Sequence, residues 1–183
     1  AARLQALMAA EGGKPVASVF GAGKAPARMA ALVNGTISHA LDFDDTHFAH
    51  VGHLSVAIYP AALAAGEAAG ASAREVVAGF LLGAEGAIRV GQMLGSAHYN
   101  RGFHQTATAG AFGATLAAAR LLGLTRDEMR AALSLCSTRA AGLRSQFGTM
   151  GKPYNAGAAA ANGVEAAQLA ALGMTSCVDG LTG

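Results

Sequence analysis

The chain has 183 residues, which is enough for one domain that buries most of the surface its unfolded form would expose. Hydrophobic residues make up 52% of the sequence, charged residues only 13%, and Trp is absent. This composition predicts a core of small aliphatic side chains and closely packed helices. A formal net charge of +2 without a Lys/Arg block argues against nucleic acid or an anionic membrane surface as a partner.

The cysteines, the uncharged runs and the first residues of the sequence bear on where the protein is located. Cys136 and Cys177 are far apart in sequence, so we expect no disulfide framework and a reducing cytoplasm. The longest uncharged runs, residues 54–66 and 105–119, fall short of the roughly 18 to 20 apolar residues that span a bilayer. The chain opens without a secretory signal and without Met, and we therefore expect a fragment or a processed chain.

Helix start and stop signals predict an all-α fold. "SARE" at 72–75 and "TRDE" at 125–128 are capping boxes that begin helices. The glycines of "LLGLT" and "ALGMT" follow apolar runs, as a helix C-terminus requires. One extended segment is predicted at 16–20, and helices are predicted at 3–10, 26–41, 55–70, 73–93, 105–122, 126–142 and 156–172.

The stretch "NGTISHALDFDDTHFAHVGH", residues 34–53, is the first motif; it holds three Asp and four of the six His. Its acidic residues follow a predicted helix end, where the helix dipole disfavours negative charge. One interpretation is structural: the aspartates and Thr46 cap the next helix, and the histidines lie on a solvated loop. The concentration of titratable groups favours a functional site instead.

Two functional interpretations of the first motif remain open. The spacing His47-x2-His50-x2-His53 beside Asp44 and Asp45 could supply nitrogen and oxygen ligands to zinc, iron or manganese. Alternatively, the site is metal-free: a carboxylate or imidazole moves a proton and the Thr46 hydroxyl orients the substrate. We favour the second interpretation and predict neither a metal nor another cofactor.

Two later stretches place titratable groups at predicted helix starts. "NRGFHQTATAGAFG" puts His104 at the start of a small-residue helix, where the dipole disfavours its charged form and free backbone N–H groups suit an anion. "GTMGKPYNAGAAAANG" puts Lys152 just before another helix. A cation is unfavourable there unless an anion, such as a substrate carboxylate, lies between the ammonium and the free N–H groups. Structural interpretations are a His that packs at a helix entry and an exposed loop Lys.

In this order and at about this separation, the three stretches make the chain resemble the MmgE/PrpD family over nearly its whole length. "VNGTISHALDFDDTH" is similar to the family hallmark, "GFHQTATAGAFGATLAAARLLGL" to its FHPT-type helix entry, and "KPYNAGAAAANGVEAAQLAALG" to its KxLHxG-type segment. The family includes 2-methylcitrate dehydratase, cis-aconitate decarboxylase and iminodisuccinate epimerase. The resemblance implies a multihelical domain, and it implies that a second, α+β domain is missing here together with an N-terminal part.

The resemblance also implies the residues of an active site. Carried over position by position, the catalytic set is Asp42, Thr46, His53, His104 and Lys152. We further predict that Asp45, Arg101 and Asn155 bind substrate. The chain departs from the family pattern in three places: Leu54 and Gln105 replace common prolines, and Asn155 stands where a histidine is frequent.

The chemistry shared by the family moves a proton on a carbon next to a carboxylate in a small di- or tricarboxylic acid. We therefore expect a cofactor-independent lyase similar to 2-methylcitrate dehydratase, with a cytoplasmic location and a homodimer as the resemblance implies. An epimerase is the nearest alternative. A noncatalytic helical binding or dimerisation module is the alternative from another class.

Overall fold

The computed structural model describes residues 1–182, and most of them are helical. The α-helices of these residues are α1 (Ala2–Glu11), α2 (Ala27–Ser38), α3 (Ser55–Ala69), α4 (Ala73–Asn100), α5 (Gln105–Leu121), α6 (Arg126–Ser137) and α7 (Gly151–Ala171). Helix α5 lies at the centre and packs against α3, α4, α6 and α7, while α7 also packs along α2. The predicted all-α class is confirmed.

Two short antiparallel hairpins interrupt the helices. The extended segment predicted at 16–20 is strand β1 (Ala17–Val19), which pairs with β2 (Gly23–Ala25). The second hairpin, β3 (Thr46–His47) with β4 (Gly52–His53), was not predicted from the sequence. It pairs Thr46 with His53, and so it brings two residues of the first motif side by side.

The starts of α4 and α6 confirm both predicted capping boxes. Ser72 accepts a hydrogen bond from the backbone N–H of Glu75, and the Glu75 carboxylate accepts one from the Ser72 N–H. Thr125 and Glu128 repeat the arrangement at α6. Each box satisfies backbone donors that a helix start otherwise leaves free.

Helix ends differ more from the prediction than helix starts do. Helix α2 ends at Ser38 rather than at residue 41, because the His39 side chain turns into the protein, where it meets Asp44. Helix α4 continues to Asn100 rather than 93 across a break at Gly95, whose φ of 60° ordinary residues rarely adopt. Helix α6 ends at Ser137 rather than 142, and the hydroxyls of Ser137 and Thr138 bind carbonyls of its last turn.

The start of α7 matters most for the candidate site. The helix begins at Gly151 rather than at 156, so Lys152 lies inside the first turn and not before the helix. Pro153 is compatible with this start, because the first turn of a helix needs no backbone N–H from it. The correction places the Lys152 ammonium at the end of α7 that faces the first motif.

A glycine contact sets the spacing between α2 and α7. A Cβ at Gly35 would lie 2.9 Å from the Cα of Gly157, and a Cβ at Gly157 would lie 2.3 Å from the Leu32 carbonyl oxygen. The two backbones therefore touch without side chains between them. This close approach brings His39, just past the end of α2, and Lys152 to the walls of one cavity.

Helix α4 also has a property that bears on membranes. Among residues 1–182 it is the single helix long and apolar enough to cross a bilayer by length and composition. Core helices of soluble proteins pass the same test. Part of α4 is buried against α5 and α3.

Candidate active site

Polar side chains from four elements converge on one cavity of about 340 Å³. Hairpin β3–β4, the end of α4, the start of α5 and the start of α7 contribute to its walls. The cavity is lined by Thr46, His47, Phe48, Val51, Gly52, His53, Tyr99, His104, Thr106 and Lys152. A second cavity of about 430 Å³ shares Lys152 with it and adds His39 and Asp42.

Asp42 links the first motif to α7. One of its carboxylate oxygens binds the Lys152 ammonium, and the other lies 3.4 Å from Nε2 of His53. The Lys152 side chain is only 18% exposed although it carries a full charge. A buried ammonium needs such an anionic partner, so the pair holds Lys152 at the cavity.

Asp44 joins two imidazoles. Nδ1 of His39 and Nδ1 of His53 each lie 3.0 Å from Oδ2 of Asp44. His39 is 1% exposed and its ring packs edge-on against His53, with ring centres 4.7 Å apart. Sequence reasoning did not single out His39; its only sequence signal was its place in the histidine-rich first motif.

His104 forms the opposite wall of the cavity. It is the N-cap residue of α5, at the helix start that the sequence predicted, and it is buried. Asn155 of α7 donates a hydrogen bond from Nδ2 to Nδ1 of His104 at 3.2 Å. A neutral His104 that accepts at Nδ1 carries its proton on Nε2.

The pKa values of His53 and His104, the two imidazoles on opposite walls of this cavity, are shifted in opposite directions. The hydrogen bond with Asp44 raises the pKa of His53 despite partial burial. Burial lowers the pKa of His104 to about 3, and the charges of His39, Lys152 and His53 act in the same direction. His53 is therefore biased toward its charged form and His104 toward its neutral form.

The two carboxylates stay ionised. The hydrogen bond from Lys152 lowers the pKa of Asp42 against the opposing effect of burial. For Asp44, burial acts to raise the pKa, but hydrogen bonds from His39 and His53 outweigh it and hold the pKa well below its usual range. Both carboxylates are thus available as hydrogen-bond acceptors at neutral pH.

Backbone strain also concentrates here. Asp42 has a φ of 60° and Val51 a φ of 56°; they are the non-glycine residues with positive φ in the described part of the chain. This region is unfavourable for any side chain and most unfavourable for a β-branched one. Strained residues of this kind cluster at functional sites in proteins.

The other predicted site residues are spread more widely. Thr46 lines the cavity beside His53. Asp45 instead accepts hydrogen bonds from the backbone N–H and hydroxyl of Ser55, so it binds the start of α3 as the structural interpretation of the motif suggested. Arg101 is an exposed residue at the C-cap of α4, outside the residues that line the two cavities.

The metal ligands weighed from the sequence do not converge. His50 is fully buried, and its Nδ1 lies 3.1 Å from the carbonyl oxygen of Ala87 in α4 rather than toward His53. Among residues 1–182, a group that could hold an ion is His39, Asp42, Asp44 and His53, whose ligand atoms all lie within 4.8 Å of one another. The Lys152 ammonium already binds Asp42 in this set.

The buried His104 predicts a loss of stability in acid. Its pKa is about 3 in the folded protein and about 6.5 in an unfolded chain. Between these values the unfolded state binds the extra proton, so lowering the pH reduces the free energy of unfolding by up to about 1.4 kcal/mol per pH unit. His53, whose pKa is raised, acts in the opposite direction.

Urea unfolding at pH 6.5 and pH 5 measures this effect. His104→Gln, which does not titrate in this range, is expected to lose up to about 2 kcal/mol less than the wild type between the two values. Equal losses in wild type and variant would show that His104 is not held neutral by the fold.

An all-helical domain with a lysine and two oppositely driven imidazoles around one cavity is suited to acid–base chemistry on an anionic small molecule. The family model of the MmgE/PrpD N-terminal domain matches residues 1–183. The chain belongs to the MmgE/PrpD family.

Several curated proteins with similar sequences carry the name cis-aconitate decarboxylase. Cis-aconitate decarboxylase of Aspergillus terreus is 36% identical over 142 residues, which is 74% of this chain and 29% of that protein. The human and mouse proteins of the same name are 34% and 33% identical over 154 residues, which is 81% of this chain and 32% and 31% of theirs. The chain spans about a third of the length of the curated relatives it matches.

Proposed function

We propose that this chain is the helical part of a cofactor-independent lyase that acts on a small di- or tricarboxylic acid by proton transfer next to a carboxylate. The observation that carries the proposal is the pair His53 and His104, which line one cavity with pKa values driven apart. In enzymes, two titratable groups whose surroundings push their pKa values apart usually include the general acid and its partner in the reaction. The names of the curated relatives support the same reaction class.

His53 is the proton donor in this proposal. Asp44 and Asp42 lie 3.0 and 3.4 Å from its two ring nitrogens, and both favour the imidazolium. A charged imidazole at the cavity wall can deliver a proton to carbon. Thr46, paired with His53 across the hairpin, is placed to orient the substrate.

His104 supplies a neutral hydrogen-bond donor. Because Asn155 occupies Nδ1, the proton of His104 is on Nε2. A neutral N–H aimed at an oxygen that becomes negative stabilises the transition state without a change of charge on the protein. This role refines the expectation that His104 transfers a proton, and Asn155 is then the residue that fixes the tautomer.

Lys152 and the helix starts bind carboxylates. Asp42 engages one of the three donors of the Lys152 ammonium, which leaves donors for a substrate. The backbone N–H groups at the starts of α5 and α7 add partial positive charge on the same side of the domain. A substrate with several carboxylates fits these requirements.

The reaction to test first is decarboxylation of cis-aconitate. Carbon dioxide leaves with formation of a carbanion conjugated to a carboxylate; His104 and Lys152 stabilise the negative charge, and His53 returns a proton to carbon. Dehydration of 2-methylcitrate requires the neutral form of His53, which takes a proton from carbon and returns it to the departing hydroxyl group, so that water leaves.

A turnover screen of the full-length protein tests the proposal. The substrates are cis-aconitate, 2-methylcitrate, citrate and iminodisuccinate, with carbon dioxide release, absorbance of the double bond and optical rotation as readouts. We expect turnover of one tricarboxylic acid that persists after dialysis against a chelator. Binding of these acids without turnover would favour the noncatalytic module, and activity lost with a stoichiometric metal would contradict a cofactor-independent reaction.

A further inference from the structure

We infer that Asp44 is a positioning residue: its carboxylate, held from the other side by His39, fixes the ring orientation and the proton-bearing nitrogen of His53. This inference rests on the proposed function for its catalytic consequence. Nothing in the family match or in the names of the relatives assigns a role to Asp44 or His39.

The contacts define a chain of three groups. Nδ1 of His39 lies 3.0 Å from both carboxylate oxygens of Asp44. Nδ1 of His53 lies 3.0 Å from Oδ2 of Asp44 and 3.3 Å from the backbone carbonyl oxygen of the same residue. A carboxylate and a carbonyl oxygen only accept hydrogen bonds, so Nδ1 of each imidazole carries the proton and donates to Asp44. His53 is then left with Nε2 as the nitrogen that exchanges a proton with the cavity.

Burial makes this chain rigid. The Asp44 side chain is 12% exposed and that of His39 is 0% exposed, so water has little access to the hydrogen bond between them. Nε2 of His39 is buried and has no hydrogen-bond partner among the described residues. An apolar side chain would pack there without that cost, so the histidine is explained by what its Nδ1 does for Asp44.

Other charged groups also face His53 and must be separated from Asp44 in any test. Asp42 lies 3.4 Å from Nε2 of His53. From the neighbouring elements come His39 after α2, His104 at the start of α5 and Lys152 in α7. The Asp44 carboxylate is the charged group beside Nδ1, and the backbone carbonyl of the same residue stays at Nδ1 when the side chain is changed. A change at Asp44 therefore removes the charge that favours the imidazolium and weakens the hold on the ring.

Asp44→Asn in the full-length protein tests the inference with two readouts. The first is the titration of His53 followed by NMR on protein with 13C-labelled histidine, which reports on the ring whether or not there is turnover. We expect the His53 titration to move to lower pH by about one pH unit. The second is the pH profile of kcat, where we expect a decrease of about 10- to 100-fold, little change in KM, and a shift of the alkaline limb to lower pH.

Two further variants complete the design. His39→Leu, which keeps the Asp44 charge but removes its second donor, is expected to move the His53 titration in the same direction by less, and it serves if Asp44→Asn does not fold. Asp127→Asn is the matched control, because it also removes one negative charge but lies on α6 with its side chain 92% exposed. It should leave the His53 titration and kcat unchanged.

The outcomes separate this inference from the proposed function. If the wild type turns over none of the acids, the proposed function fails, and the NMR titration still decides whether Asp44 positions His53. If the wild type is active but Asp44→Asn and His39→Leu leave the His53 titration and the pH profile unmoved, the inference is wrong. Stoichiometric binding of added Zn2+ or Mn2+ that Asp44→Asn abolishes would also overturn it, since the cluster would then be a metal site.

Discussion

Replacing His104 by Ala in the full-length protein is expected to lower turnover by about 10²-fold or more. His104 lines the cavity, is buried, and has its Nδ1 occupied by Asn155, so its one proton points away from that bond. Steady-state kinetics with thermal unfolding of the same sample measure the effect apart from any loss of folded protein.

Two variants show what His104 contributes. His104→Gln keeps an amide donor near the place of Nε2 but cannot transfer a proton, so a rate well above that of His104→Ala identifies a hydrogen-bond donor. Equal losses in both variants identify proton transfer. His98→Ala is the control, because His98 packs on Phe103 and binds Thr108 and is not among the residues that line the cavity. A near-normal rate for His104→Ala would refute a role of His104 in the reaction.

The second large effect is expected on stability, from Gly157→Ala. The new methyl carbon would lie 2.1 Å from Oγ1 of Thr36 and 2.3 Å from the carbonyl oxygen of Leu32. The hydroxyl can rotate but the carbonyl belongs to α2, so the two helices must separate. Overpacking of this kind costs about 1 to 3 kcal/mol or more, against about 1 kcal/mol gained in helix propensity.

Because Leu32 contributes a backbone atom that cannot rotate away, we expect the upper end of this range: a net loss of up to about 2 kcal/mol and a Tm lower by up to roughly 4 to 8 °C. Gly86→Ala is the matched control, because its methyl carbon meets only the end of the Leu116 side chain, which can move. Equal Tm values for Gly157→Ala and wild type would show that the α2–α7 contact is looser than described. A loss of turnover greater than the loss of folded protein is also expected, since the contact brings His39 and Lys152 to the walls of one cavity.

Local signals in the sequence predicted the starts of helices well. The capping boxes at Ser72 and Thr125, and the position of His104 at a helix entry, depend on neighbours within three or four residues, and the structure confirms all of them. The end of α2 depends on the contact of the buried His39 with Asp44, which is a tertiary contact. The sequence has no local mark for it.

The candidate site shows the same division. The concentration of Asp and His in the first motif correctly indicated where polar groups converge, but not which side chains meet. The His47, His50 and His53 spacing suggested one ligand set, whereas His50 turns into the core and His39 takes its place near His53. Asp42, between His39 and Asp44, has a positive φ that no rule of composition predicts.

The strained backbone at Asp42 and Val51 has a consequence for engineering this protein. The positive φ of each of these residues lowers the stability of the folded protein by roughly 1 to 3 kcal/mol, a cost that glycine does not have. Substitution by glycine in the loop around the cavity can therefore raise the stability. Substitution by glycine affects the polar groups of the cavity differently at the two positions. Glycine at position 42 removes the carboxylate that holds Lys152, whereas glycine at position 51 relaxes the hairpin turn and keeps every polar group of the cavity. Position 51 is therefore the place to seek a more stable variant that keeps the polar groups of the cavity.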